Sequence, residues 1–372
     1  MAQIRRAIGA MTGTSMDGLD LALVETDGEA IVRPIASYAR PFSALERDAL
    51  RDAIAAAEHV TERTERPRPL ENAERLITEA HAEGVARLLW RARCDASQVD
   101  VIGFHGQTVL HRPADALTIQ LGDGMGLARN TGIDVVHDFR AADVAAGGEG
   151  APLAPVFHRA LAKDIPGWPV AFLNIGGVAN VTWVSRSGQM RAFDTGPGNA
   201  LIDDFVRAHS NGDHDEGGEL ARAGTVDEGA LTSLLRHGYF SASVPKSLDR
   251  NAFDAAPVAD LSLRDGAATL TAFTAEAVAR ARYFFSEAPG VWVVCGGGRH
   301  NRAIMMALAE RVEGLVAPAE AFGLDGDMLE AQAFAYLAVR SLDGLPLSFP
   351  ATTGVAEPTT GGVMARYDQK AQ

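Results

Sequence analysis

The feature that most constrains this chain is a strand, turn and strand design that occurs twice. The stretch Met11 to Asp20, Met-Thr-Gly-Thr-Ser-Met-Asp-Gly-Leu-Asp, lies between an apolar run around Ile8 and another from Leu21 to Val24. Short apolar runs separated by a polar, glycine-bearing segment read as two strands joined by a hairpin turn. Gly13 and Gly18 permit backbone shapes that other residues resist, Thr14 and Ser15 add hydroxyls, and Asp17 brings a carboxylate. Such a turn can offer N–H groups to phosphate oxygens while the acid faces a divalent cation; an ordinary Asp-Gly hairpin is the duller alternative. The design recurs after Val170 to Leu173, where Asn174-Ile175-Gly176-Gly177-Val178-Ala179-Asn180 precedes a second strand-like run, Val181 to Val184. Two phosphate-type turns facing one another would grip one polyphosphate from both sides. The halves share negligible sequence identity, so the repeat is architectural.

A length of 372 residues favours two domains. Gly147-Gly148-Glu149-Gly150-Ala151-Pro152 is the strongest hinge signal and places the boundary near 150. This gives an N-terminal lobe over 1–150, completed by the tail 345–372, and a C-terminal lobe over 151–344. The net charge of −14, with no Lys/Arg stripe to offset it, argues against a nucleic-acid binder. An acidic protein that binds an anionic nucleotide needs local N–H groups and Mg²⁺ to overcome its own field. Cys94 and Cys295 lie far apart and make no metal pattern, which fits a reducing compartment. No run approaches a membrane span, and the apolar part after Arg5-Arg6 is too short for a secretion signal, so a cytoplasmic protein is expected.

Taken in order, the chain continues with a third strand over Ala30 to Pro41, a helix over Leu45 to Ala57 with Ser43 as cap, and an amphipathic helix over Pro69 to Trp90. Val101 to Phe104 reads as a strand ending in His105-Gly106-Gln107-Thr108, polar side chains at the carboxyl end where open α/β sheets bind ligands. A core histidine is the alternative for His105. Arg140, in Asp138-Phe139-Arg140-Ala141-Ala142-Asp143, can hold a substrate carboxylate through two hydrogen bonds or form a structural ion pair with Asp138 or Asp143. In the second half, a strand over Met190 to Phe193 delivers Asp194-Thr195-Gly196-Pro197-Gly198-Asn199, followed by a helix over Ala200 to His209. Asp194 is a candidate base on a rigid element, or a turn cap. Asn199 and the amides at the helix start can meet phosphate or sugar oxygens. The charged segment Pro245-Lys246-Ser247-Leu248-Asp249-Arg250 faces either ligand or solvent. A helix is expected over Leu270 to Phe285. Val291 to Val294 runs into Cys295-Gly296-Gly297-Gly298-Arg299-His300-Asn301, where a nucleotide could lie against bare backbone, although the spacing is not the G-x-G-x-x-G of a dinucleotide fold. A final helix spans Leu329 to Leu342 with Glu330 at its amino end, and 345–372 reads as irregular structure.

Together, Gly13 to Gly18, His105 to Thr108, Gly148 to Pro152, Asn174 to Asn180, Asp194 to Asn199, Cys295 to Asn301 and Asp327 to Phe334 resemble the ordered motifs of the 1,6-anhydro-N-acetylmuramic acid kinases over nearly the full length. The resemblance implies the two-lobed actin/hexokinase-like (ribonuclease H-like) α/β fold of the actin, hexokinase and Hsp70 superfamily. Each lobe then holds a mixed five-stranded sheet flanked by helices, and the lobes close about ATP. It implies an enzyme of peptidoglycan recycling that uses ATP, Mg²⁺ and water to open the 1,6-anhydro ring and phosphorylate O6, giving N-acetylmuramic acid 6-phosphate and ADP. Asp194 would be the catalytic base. Gly13, Thr14, Ser15, Met16, Asp17, Gly18, Leu19, Asp20, Gly176, Gly177, Gly196, Gly198, Asn199, Gly296, Gly297 and Gly298 would bind the nucleotide, with Asp17 reaching Mg²⁺ through water. His105, Gln107, Arg140 and Glu330 would contact the sugar, and a homodimer is implied. Another sugar kinase, or a nucleotide-dependent binding ATPase of the superfamily, is the alternative. A dinucleotide-dependent oxidoreductase is disfavoured by the missing glycine spacing.

Overall fold

The computed structural model describes residues 3–13, 15–250 and 252–368; Thr14, one of the expected nucleotide contacts, lies outside the described residues. The chain divides into two compact units, Met1–Lys163 with Met328–Gln372, and Asp164–Asp327.

In the first unit the expected hairpin forms. Strand β1 (Arg5–Thr12) pairs antiparallel with β2 (Gly18–Thr26), which pairs antiparallel with β3 (Val32–Pro41). On its other side β1 pairs parallel with β4 (Val101–Arg112), which also takes β5 (Leu117–Leu121) antiparallel and β6 (Val135–His137) parallel. In the second unit β7 (Val170–Ile175) and β8 (Val178–Val184) form the second hairpin, and β9 (Met190–Pro197) extends it antiparallel. β10 (Val291–Cys295) and β11 (Leu315–Pro318) add parallel on the far side of β7. The order β3-β2-β1-β4-β6 of the first sheet therefore matches β9-β8-β7-β10-β11 of the second, strand for strand and sense for sense. The architectural repeat is carried by topology.

The first sheet has seven strands where five were expected. β5 folds back on the overlong β4, and β12 (Val363–Ala365), from a tail expected to be irregular, pairs antiparallel with β6. The helix Leu263–Arg280 starts earlier than its expected Leu270, because Ser262 caps it by accepting from Asp265 N–H. The helices Ala44–Ala57, capped by Ser43, and Arg68–Ala92 cover the first sheet, with Leu70, Ala73, Ile77, Ala80, Val85 and Leu88 buried as their spacing requires.

The junctions lie at Lys163/Asp164 and Asp327/Met328, so the helices Pro155–Ala162 and Leu329–Leu342, assigned from sequence to the C-terminal lobe, belong to the first unit. The reason is a close backbone approach. Gly9 and Gly103 are register partners on β1 and β4, and a Cβ on either would lie 1.7 Å from Ala331 O or 2.0 Å from Phe334 O. A flat patch of bare strand thus lets the last long helix lie directly on the sheet, and most of that helix is buried. Among the described residues no helix is long and apolar enough to cross a membrane.

Candidate active site

Between β1 and β2, Gly13 and Met16 are half-buried while Ser15 and Asp17 are exposed. Met16 N–H donates to Gly13 O, Met16 adopts φ 57°, and Asp17 O accepts from Phe42 N–H, which leaves the Ser15 and Asp17 side chains exposed to solvent. Two neighbours do not share that exposure. Leu19 is buried in the core of the first unit, and Gly18 is glycine because a Cβ there would lie 2.3 Å from Arg40 O on β3. No cluster of three His, Cys, Asp or Glu suited to a metal exists among the described residues. A single accessible carboxylate beside a phosphate-type turn is nonetheless the donor set Mg²⁺ accepts, since that ion keeps several waters and takes its other ligands from phosphates.

The same separation sorts the glycines of the second unit. Gly198 would place a Cβ 2.3 Å from Gly176 O, Gly196 one 2.8 Å from Ala277 Cβ, Gly296 one 2.2 Å from Asn174 Oδ1 at φ +72°, and Gly298 one 2.3 Å from Ile175 Cγ2. Packing alone demands glycine at these positions. Gly176, Gly177 and Gly297 meet nothing nearer than 3.6 Å. Their missing side chains leave open surface that the protein does not fill, which is what an approaching ligand requires. The amides at the start of the helix Ala200–His209 are already engaged: Asn199 N–H donates to Gly176 O at 2.7 Å, and Gly198 and Ala200 N–H donate to Gly177 O. They brace the turn and do not point at a ligand, contrary to the sequence expectation. Asn199 Nδ2 donates one hydrogen to Ile175 O at 3.3 Å and keeps a second. Buried Arg299, bonded to Gly296 O and paired with Glu320 at 2.9 Å and Asp327 at 2.8 Å, fixes the triple-glycine turn from below.

Asp194 lies inside β9 and not beyond its end, because β9 continues past a bulge to Pro197. Its polar atoms are held from outside the sheet. The backbone N–H donates to Lys246 O at 3.0 Å, the backbone C=O accepts from Tyr239 Oη at 2.6 Å, and Oδ2 accepts from Leu248 N–H at 2.8 Å. Among the described residues no donor reaches Oδ1. Burial pushes the carboxyl up to about 7, against the opposing pull of the Leu248 N–H. A carboxylate with one oxygen fixed, one free and a proton affinity matched to neutral pH has the properties of a general base. It does not cap a turn. Tyr239 escaped the sequence reading, which placed Lys246 and Leu248 in a charged segment facing either ligand or solvent without linking them to Asp194.

In the first unit His105 and Gln107 lie within β4, not after it, because the strand bends at Gly106 (φ +70°) and continues to Arg112. They are 4% and 0% exposed, so neither side chain stands open to solvent at a strand end. His105 Nε2 instead accepts from Arg140 Nε at 3.1 Å and Nη2 at 2.9 Å, which requires a neutral ring with its hydrogen on Nδ1. Desolvation, reinforced by the Arg140 charge, holds the imidazole well below its ordinary value, in keeping with that tautomer. Arg140 Nη1 donates to Gly150 O at 2.9 Å. The structural ion pair fails: Asp138 pairs with Arg63 at 2.6 Å, and Asp143 accepts from Gly150 N–H at 2.5 Å and Thr353 Oγ1 at 2.6 Å. Arg140 therefore presents a positioned guanidinium with donors to spare. Glu330, in the first turn of Leu329–Leu342, is exposed at its surface; desolvation raises its carboxyl, opposed by the Arg140 charge.

The family model described as anhydro-N-acetylmuramic acid kinase matches residues 5–367. The chain is 52% identical over 373 residues to a protein of that name from Methylobacterium nodulans, covering 97% of this chain and 100% of the relative. It is 51% identical to one from Bradyrhizobium diazoefficiens, covering 97% and 99%, and 48% identical to one from Agrobacterium fabrum, covering 98% and 100%. Among solved structures, component A of (R)-2-hydroxyglutaryl-CoA dehydratase from Acidaminococcus fermentans aligns with TM-score 0.51 at 13% identity over 91% of this chain and 99% of that one, a likeness of fold alone. The full-length match in sequence, on a chain whose two sheets carry the topology that the motifs imply, shows that it belongs to the anhydro-N-acetylmuramic acid kinase family.

Proposed function

We propose that this kinase opens the 1,6-anhydro ring of 1,6-anhydro-N-acetylmuramic acid with water and transfers the γ-phosphoryl group of ATP to O6, giving N-acetylmuramic acid 6-phosphate and ADP in peptidoglycan recycling. Ring opening and transfer belong to one sequence because the bridging oxygen is a poor nucleophile until C1 releases it. Oδ1 of Asp194 takes a proton from the attacking water, the water oxygen bonds to C1, and the C1–O6 bond breaks toward O6. O6 then attacks the γ-phosphorus and ADP leaves, while Asp194 returns its proton to solvent. The chain's other groups position: the open backbone at Gly13, Gly176 and Gly177 receives phosphate oxygens, and Gly297 with Asn199 receives the nucleoside. Arg140, steered by His105, and Glu330 hold the sugar. Asp17 would help hold Mg²⁺, which would supply charge neutralisation on the transferring group.

The observation that carries this reading is the Asp194 carboxyl, raised to about 7 by burial, with Leu248 N–H on one oxygen and no donor among the described residues on the other. Incubation with Mg-ATP, anhydrosugar and ¹⁸O-water followed by mass spectrometry tests it. The product should gain one phosphoryl group and one labelled water, and a product lacking either overturns the proposal. Family membership also supports a cytoplasmic homodimer, to be tested by sedimentation of the purified protein.

A further inference from the structure

Lys246 has a setting that surface lysines lack. Its ammonium lies 4.3 Å from the centroid of the Tyr239 ring and 4.9 Å from that of Phe284, and Nζ donates to Tyr239 O at 2.9 Å. Among the described residues no carboxylate lies within ion-pair distance of it, so the two rings and one carbonyl are its partners. Desolvation in this slot lowers its proton affinity. The slot is built from the elements that hold Asp194. Tyr239 donates its hydroxyl to Asp194 O, Phe284 packs edge-on against Phe193 at 5.2 Å, and Lys246 O accepts Asp194 N–H two residues before Leu248 grips Oδ2.

We propose that Lys246 is a positioning residue for the Asp194 base. Its ammonium, bound between Tyr239 and Phe284, holds the segment Pro245 to Leu248 against β9, so that Leu248 N–H fixes Oδ2, Oδ1 stays free for the water proton, and bulk water is kept from the carboxylate. The inference rests on the reading of Asp194 as general base. An exposed lysine would be expected to form a salt bridge or to be hydrated; this one exchanges hydration for cation–π contact with two rings, an arrangement of value only if the segment must stay in place. Among the described residues the titratable side chain that touches Asp194 is Tyr239, from the 3₁₀ turn Gly238–Ser241; Lys246 meets it through its backbone carbonyl, and Arg191 on the same strand donates its guanidinium to Phe284 O instead. The opposing position on β8 is Asn180, which does not titrate.

The test compares Lys246→Met, which keeps the stem and removes the charge, with Lys246→Arg, which restores a cation to the slot. In Lys246→Met, kcat should fall about tenfold or more, as misplacement of a base does, while KM for ATP and for the anhydrosugar changes less than about threefold. With water admitted, the Asp194 carboxyl should relax toward its ordinary value, moving the acid limb of kcat/KM down by about one pH unit. Lys246→Arg should recover most of both. A Lys246→Met enzyme with kcat within twofold of the parent, or with reduced kcat and an unmoved acid limb, overturns the proposal. Tyr239→Phe, which keeps the ring and removes only the bond to Asp194 O, should move the limb in the same direction; an unmoved limb there overturns the clamp even if Lys246→Met does not fold. Asp194→Asn run alongside separates the two levels. Activity retained in that variant ends the base reading and this inference with it, whereas an inactive Asp194→Asn beside an unaltered Lys246→Met ends the inference alone.

Discussion

Replacing the candidate base should strengthen the fold while abolishing turnover. Asp194→Asn keeps an acceptor for Leu248 N–H and removes the charge that burial opposes. The carboxyl ionises near 3.8 in the unfolded chain and near 7 in the folded one, a displacement worth about 4 kcal/mol at 1.36 kcal/mol per pH unit. The direction follows from proton binding. Between pH 3.8 and 7 the folded state holds a proton that the unfolded state has released, so this group's contribution to stability falls as pH rises through that interval and reaches its most unfavourable value above 7. The Asn variant should therefore exceed the parent in stability by about 2–4 kcal/mol at pH 8.5, by less than half of that at pH 5, and by nothing near pH 3.5. Urea titrations of both proteins at each pH read the difference directly, and other titrating groups cancel because both chains share them. Activity should fall by about 10³-fold over the same samples, the usual loss when a general base is removed. A variant no more stable than the parent at pH 8.5, or a gain that does not vary with pH, would refute the claim that the native carboxylate is desolvated.

Other expectations follow from the same geometry. Gly177→Ala should melt within about 2 °C of the parent, because a Cβ there makes only ordinary contact, yet raise KM for ATP about tenfold; an unchanged KM would remove that turn from the nucleotide site. Gly103→Ala should cost more than about 3 kcal/mol or prevent folding, since its Cβ would lie 2.0 Å from Phe334 O, and a soluble variant with parental urea midpoint would contradict the helix placement. Arg140→Lys should lower kcat/KM for the anhydrosugar about 30-fold without altering KM for ATP, because an ammonium cannot donate to His105 and a ligand in the guanidinium's planar geometry; equal losses for both substrates would count against it. His81, fully buried with its ring on Phe104 and its Nδ1 on Ile77 O, ionises near 4, so up to about 3 kcal/mol of stability should disappear as pH falls from 6.5 to 4; His81→Leu should flatten that slope, and a parallel slope in both proteins would exclude the residue as its source.

Much of this architecture can be read from residue order because strands of four to eight apolar residues bounded by glycine leave little ambiguity, and both hairpins and the helices Ala200–His209 and Leu329–Leu342 fall where the pattern puts them. What pattern does not convey is which sheet a helix covers. Leu329–Leu342 follows the second unit in sequence and packs on the first, and the signal for it lay far upstream in two glycines inside strands, Gly9 and Gly103. The candidate site shows the same division. Residue type named the glycines as one set, but type does not say whether a glycine is open or packed: Gly196, Gly198, Gly296 and Gly298 are fitted against their own neighbours, whereas Gly176, Gly177 and Gly297 leave open surface. His105 and Gln107 look accessible in a string of polar residues because the pleat that buries them depends on the bend at Gly106. Lys246 could not be separated from an exposed charge, since its aromatic partners are 7 and 38 residues away in the chain.

The helix that returns to cover Gly9 and Gly103 sets an order of events during synthesis. A ribosome delivers 163 residues of the first unit, then the whole of Asp164–Asp327, before Leu329–Leu342 emerges. The second unit has every one of its strands at hand early and can complete its sheet while the first still exposes bare backbone on β1 and β4. The lobe that begins first is thus the one that must finish last.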